Sequence, residues 1–325
     1  MDPRIPTAII VIVGVPATVI GYVLLVEQLL KAAPDRLRAR LRPWLWVLPA
    51  LVLLAFFLVY PTIATAVRSF QNNAINDPKF IGLNNYAFFF SNGSTLEAFR
   101  NSIIWLVGLT VFVVVGGLLS AILFDRVRYE PLAKSLLFLP LAISFVGAGV
   151  IWKFMYDYEP AGATQIGTLN GLLTTAGLSP QPFLINAPWN NIWLIIIGAW
   201  IWTGFAMVIL SASLKGISPE LLEAARVDGA NELQIFRAIT LPLLMPTIAV
   251  VATTMIITAL KSFDVIYVTT NGNFGTDVLA LDMYKQLFNF GQPGRAAAVA
   301  TVLVLLIIPV MAVNIRRFVQ QEAIR

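Results

Sequence analysis

Two short clusters in this sequence carry side chains able to do chemistry. One is Lys261, Ser262, Phe263 and Asp264 at the end of a long apolar run, with Trp200, Trp202 and Phe205 inside the run before it. The other is the polar stretch from Ser218 to Pro246 that joins those two runs. A Lys and an Asp three apart on a helix can neutralise each other, and a membrane-embedded pair of that kind can also relay protons. Other chemistry is excluded at once. The chain has no Cys and no His, so no metal site is expected from thiolate or imidazole, and a Cys nucleophile or a Ser-His-Asp triad is ruled out. No Gly-Lys dipeptide occurs, and without one the usual phosphate-cradling loop cannot form.

The elements that must hold these residues are membrane helices. Of 325 residues, 58% are hydrophobic and 12% charged, and the mean hydropathy is +0.81. Soluble domains sit near about 45–50% apolar and about 25% charged. Apolar runs long enough to cross a hydrocarbon core recur at 5–27, 44–67, 103–124, 136–156, 192–214, 243–263 and 297–315. The fold class expected is therefore all-α, a membrane protein of about seven transmembrane helices. Pro16, Pro49, Pro61, Pro140 and Pro309 fall in or near these runs and are expected to kink them.

Orientation follows from basic residues, which stay on the cytoplasmic side. Lys31, Arg36, Arg38, Arg40 and Arg42 follow the first run, and Arg126, Arg128 and Lys134 the third. Lys215, Arg226 and Arg237 flank the central polar stretch, and Arg316, Arg317 and Arg325 close the chain. These alternate segments hold most of the 22 basic residues. The N-terminus and segments 70–100, 157–191 and 264–296 are thus expected outside, and the C-terminus in the cytoplasm. The net charge of +5 follows this topology and points to membrane lipid as the surroundings, with no nucleic-acid partner. The first run is read as a retained helix, because it is long for a signal peptide and its basic cluster follows it.

On the cytoplasmic side, Ser218 stands as an N-cap, Pro219 at the first helical position and Glu220 in the first turn. Leu221, Ala224 and Ala225 share a helical face, and Gly229 after Asp228 is a left-handed stop before a second helix from about Asn231. Two short helices with small residues on one side make a knob able to dock in a partner's groove, or a connector that lies on its own bundle.

The pattern of Glu223, Ala224, Ala225, Asp228, Gly229, Ala230, Phe236, Ile239, Pro242 and Pro246 resembles the EAA loop of ABC importer permeases. Phe80 to Tyr86, Leu137 to Pro140 ahead of Trp152, and Phe263 to Gly272 are similar to segments of the sugar, maltose-type branch. The resemblance runs from about residue 45 to the C-terminus, and TNGNFGTD with the closing NIRRFVQQEAIR is most similar to α-glucoside permeases. Relatives often carry Gly-Gly-Pro where this chain has Gly272, Asn273 and Phe274, and often lack the first span.

The resemblance implies a six-helix MetI-like permease core over 44–325 with the coupling loop at about 216–242, and an added N-terminal helix and basic linker over 1–43. It implies a bacterial inner-membrane subunit that is not an enzyme and binds no cofactor, with ATP and Mg held by partners. Those partners would be a second homologous permease, two ATP-binding cassette ATPases and an extracytoplasmic sugar-binding protein. The cargo implied is a sugar such as trehalose, maltose, sucrose or glucosylglycerol. Glu223 would contact an ATPase Arg or cap the loop, and Gly229 would allow its turn. Segments around Trp200, Trp202, Phe205, Lys261, Ser262, Phe263 and Asp264 match those lining the family's sugar site, where aromatic faces stack on pyranose rings. An ion-coupled secondary transporter would share the apolar spans and lack of a phosphate loop, but the acidic residues Glu27, Asp125, Asp157, Glu159 and Asp264 fall at span ends or in loops. A membrane-embedded enzyme would need a cluster of nucleophile, acid and base that the composition does not supply.

Overall fold

A computed structural model describes residues 4–32, 34–125 and 127–322. Arg126 and Arg325 of the basic flanks lie outside the described residues, as does the side chain of Arg317. The described chain is helical apart from turns and one isolated bridge between Gln71 and Phe80. Its contacts separate residues 1–65 from residues 66–325.

In the first unit, α1 (Arg4–Ala32) and α2 (Asp35–Leu54) form a hairpin broken at Pro34, whose extended backbone precedes α2. Val26 and Leu30 are buried there, and the Tyr22 hydroxyl donates to the Leu45 carbonyl. α2 widens into a π-turn at Ala55–Val59 before α3 (Tyr60–Arg68). The widened turn comes just ahead of Pro61, which lacks the N–H an α-helical bond would need there.

The second unit, which starts within α3, continues with α4 (Asn84–Ser91) and the long α5 (Gly93–Phe124), capped by the Asn92 side chain on the Thr95 amide. Next, α6 (Glu130–Phe138) and α7 (Phe145–Met155) meet at 103°. The run 136–156, expected as one kinked span, is therefore two helices. Pro140 sits in a 3₁₀ turn over Leu139–Ala142, Ile143 is extended, and the Ser144 hydroxyl caps α7 by accepting from the Gly147 amide at 3.0 Å. The end of α6 is seated on a later helix, α9 (Trp189–Lys215): a Cβ at Gly204 would stand 2.3 Å from the Leu137 carbonyl oxygen, so only Gly lets the two backbones approach.

The remaining helices are α8 (Thr168–Thr175), α9 (Trp189–Lys215), α10 (Pro219–Val227) and α11 (Glu232–Ile235). A π-turn at Phe236–Thr240, again just ahead of a proline, Pro242, leads into α12 (Leu241–Leu260). α13 (Asp264–Thr269), α14 (Leu279–Tyr284) with a π-turn over Lys285–Asn289, and α15 (Pro293–Glu322) complete the chain. Among the described residues, six helical stretches are long and apolar enough to cross a membrane, and the bent α6–α7 pair makes a seventh when counted as one. The core lies where α5, α9 and α12 pack together, with Leu109, Val113, Leu194, Ile201, Met207, Val251 and Met255 all buried.

Candidate functional site

The polar stretch between α9 and α12 holds the expected first short helix and its turn, but the second helix is not a separate one: α11 runs through the π-turn into α12 without a break. α10 stops by geometry the Asp-Gly pair dictates: Gly229 takes φ +84°, its amide donates to the Arg226 carbonyl at 3.0 Å, and the Ala230 amide reaches back to the Ala225 carbonyl at 3.0 Å. This is a Schellman closure, which satisfies carbonyls the helix end would otherwise leave unpaired. Asn231 then caps α11, accepting from the Gln234 amide at 3.0 Å while Gln234 Oε1 accepts from the Asn231 amide at 2.8 Å. Arg226 bridges the two helices through Glu232 at 2.8 Å. One expectation fails. Ser218 occupies the N-cap position but its side chain makes no bond to the backbone; its hydroxyl turns to Glu220, to which it donates at 2.6 Å.

Glu223, Ala224, Asp228 and Gly229 are exposed, and Ala225 and Ala230 are partly covered. Leu221 and Leu233 are exposed too, and Val227 is 87% exposed. Glu223 forms no ion pair among the described residues. Apolar and charged side chains thus stand together on a rigid projection. Its root is fastened by charge: Glu130 at the start of α6 pairs with Lys134 and with Lys215 at the end of α9, Lys215 also lies 3.7 Å from Asp125, and Lys134 donates to Ser211.

The other cluster lines a cavity of about 320 Å³, a size that admits a small ligand. Trp202, Lys261, Ser262, Phe263 and Asp264 border it, joined by Trp105, Leu109, Phe145, Gly198, Ile201, Thr258 and Val265. Phe145 enters because the α6–α7 break turns it toward Trp202, with which it stacks at 6.1 Å. Phe205 lies behind, edge-on to Trp202 at 5.5 Å, and Trp200 packs edge-on against Trp152 at 5.7 Å; neither borders the cavity. The expected Lys261–Asp264 pair does not form. α12 ends at Leu260 and Phe263 leaves helical geometry at φ −138°, so the three-residue helical spacing that would join them is lost. Lys261 is left exposed and Asp264 opens α13.

Sequence reasoning passed over Trp105, which is 1% exposed with an unpartnered Nε1. A Trp near the start of an apolar run reads equally as a membrane-interface residue. It also missed three buried asparagines. Asn101 donates to the carbonyls of Gly275 and Asp277 at 2.8 Å each, Asn190 to that of Phe274 at 2.7 Å and Asn191 to that of Gly275 at 3.1 Å. They hold the TNGNFGTD loop, where Asn271, Gly272, Phe274 and Gly275 all have positive φ. Lys285 closes on Asp277 at 2.7 Å across the same loop.

A bundle of apolar spans with a central cavity, a broken span and a projecting two-helix knob defines a multi-pass membrane permease. The chain belongs to the family of binding-protein-dependent transport system inner membrane components, whose profile matches residues 113–321. It is similar to the osmoprotective compounds uptake permease GgtC of Synechocystis sp., 51% identical over 86% of this chain and 100% of that one. It is also similar to the alpha-glucoside transport system permease AglF of Rhizobium meliloti, 44% identical over 88% of this chain and 85% of that one. One chain of a bacterial ABC transporter involved in import of the acidic polysaccharide alginate matches with a TM-score of 0.71 and 26% identity, over 87% of this chain and 99% of that one. The chain is accordingly an inner-membrane transport subunit and not an enzyme, and nothing in these relatives supports the ion-coupled alternative.

Proposed function

We propose that this chain is one of two permease subunits of an ABC importer that carries a small neutral glycoside of the α-glucoside or glucosylglycerol type. Residues 44–325 form the permease domain, and residues 1–43 add a helix and a basic linker. The N-terminus lies outside and the C-terminus in the cytoplasm. One observation carries the reading: α9 and α12, which border the cavity through Gly198, Ile201, Trp202 and Thr258, are the same two helices that flank the knob. Force applied to Glu223, Ala224, Ala225, Asp228, Gly229 and Ala230 by a partner ATPase would reach the cavity wall along two stiff rods. The chain has no phosphate-binding Gly-Lys of its own, so ATP and Mg belong to a pair of partner ATPases, and a binding protein supplies cargo to the outer face. Within the cavity, Trp202 and Phe263 offer flat faces for a pyranose while Ser262, Lys261 and Asp264 meet its hydroxyls; Trp200 and Phe205 support the wall from behind. The names of GgtC and AglF point to the same class of cargo.

The test is uptake by the complete transporter in proteoliposomes with its binding protein, using trehalose, maltose, sucrose and glucosylglycerol. ATP-dependent uptake of at least one, lost without the binding protein, is expected. Uptake of none, or uptake driven by an ion gradient without ATP, overturns the reading.

A further inference from the structure

Phe263 borders the cavity and is also the first ring of a chain that leads away from it. Tyr267, one turn further along α13, stacks on Phe263 at 5.1 Å with planes 15° apart. Tyr284 touches both, at 5.3 Å from Phe263 and 5.6 Å from Tyr267, and Phe288 follows Tyr284 at 4.9 Å. Tyr267 is exposed and Phe288 is 68% exposed, so the string runs from a cavity wall to an open face within the segment read as lying outside.

The backbone beneath these rings is held firmly. Asp277, Lys285 and the buried Gln286 pin the turn that presents Tyr284 and Phe288, and Asn101 fixes the loop before it. The π-turn over Lys285–Asn289 widens the helix where Phe288 emerges, a device common at functional positions. Rings in unbroken contact on a rigid support, Tyr267 and Phe288 exposed and Phe263 and Tyr284 partly so, suit a ligand with flat apolar faces and polar edges.

We propose that Phe263, Tyr267, Tyr284 and Phe288 form an entry track on which a glycoside moves from the outer face to the cavity, stacking on successive rings. This rests on the glycoside reading above. Each ring offers a weak site, and a series of weak sites draws cargo in without trapping it, the condition conduction requires. Stacking is indifferent to hydroxyl orientation, so the track admits pyranosides as a class and leaves selection to Lys261, Ser262 and Asp264.

The test uses the complete transporter with Tyr284→Leu, Phe288→Leu and Phe288→Trp, reading uptake of whichever of the four sugars the wild type carries, with co-purification of the other subunits as the assembly control. The Leu variants should assemble and lose about two- to tenfold in uptake rate at low sugar, the range that one aromatic stacking contact supports. Phe288→Trp, which keeps a flat face, should lose less than Phe288→Leu. Leu variants as fast as wild type overturn the track alone. So do Leu variants that no longer co-purify, or a Phe288→Trp as slow as Phe288→Leu, since either outcome makes the rings a packing surface. A wild type that carries none of the four sugars overturns the track and the glycoside reading together.

Discussion

Asp282 shows what one buried charge costs this fold. It is 4% exposed; one carboxylate oxygen accepts from Gln286 Nε2 at 3.2 Å and the other has no partner. Burial pushes its pKa above the ordinary carboxylate range, and Gln286, the nearby Thr95 hydroxyl and Lys285 only partly offset that. The native chain therefore holds this proton more tightly than the unfolded chain does. The resulting penalty is full above the raised pKa and is relieved as pH falls toward the ordinary carboxylate range. Asp282→Asn should raise the thermal midpoint of the purified complex at pH 8. The scale is set by about 1–3 kcal/mol for an unsatisfied buried group and about 2–4 °C per kcal/mol in larger domains. The gain should shrink as the pH is lowered, and a gain independent of pH would count against the charge as its cause. Nothing in the sequence marked Asp282 as buried, because a carboxylate in an outward loop reads as solvated. Asn101, Asn190 and Asn191 were illegible for the same reason: their role is set by carbonyls up to 176 residues away in the chain.

At the scale of elements, legibility followed how local the cause was. The two knob helices were readable because Pro219, the Asp228–Gly229 pair and Asn231 act through neighbours in sequence. The Ser218 cap was not, because its side chain turns to Glu220 and makes no bond to the backbone. The π-turns ahead of Pro61 and Pro242 have a local cause, the missing proline N–H, yet the widening leaves no periodicity to read. Pro140 alone could not distinguish a kink from a 103° break, and the seat that the end of α6 finds on Gly204 lies on a helix distant in sequence. The knob gives a clean test of its turn. A Cβ at Gly229 meets nothing within 4 Å, so a substitution there changes only the cost of φ +84°. A left-handed residue costs about 1–2 kcal/mol for most side chains, more for β-branched ones, and Asn bears it best. Gly229→Val should assemble but lose most binding-protein-stimulated ATPase activity and uptake, while Gly229→Asn keeps most of both. Equal loss in the two variants would mean that contact by the glycine itself matters, and not the shape of the turn.

For the whole molecule, the question is whether the knob moves with the cavity wall or against it. α6 and α9 are joined at both ends of their contact: the last turn of α6, at Leu137 and Phe138, sits on Gly204 with no room for a side chain, and Glu130 is held by Lys134 and Lys215 next to the root of the knob. Tightly packed surfaces of this kind shift as a body, because sliding would open gaps that close packing does not tolerate. A push on the knob should then carry α6 and α9 together and turn Trp202 and Phe145 as one wall. Because this chain has no cysteine, a pair placed at Glu130 and Lys215 can be joined selectively with a short bismaleimide. The joined transporter should import its sugar at close to the rate of the unjoined Cys variant, since the link spans two parts that never separate. Loss of uptake on joining would show that α6 and α9 slide past each other in each cycle, and the lever would then have to be α12 alone.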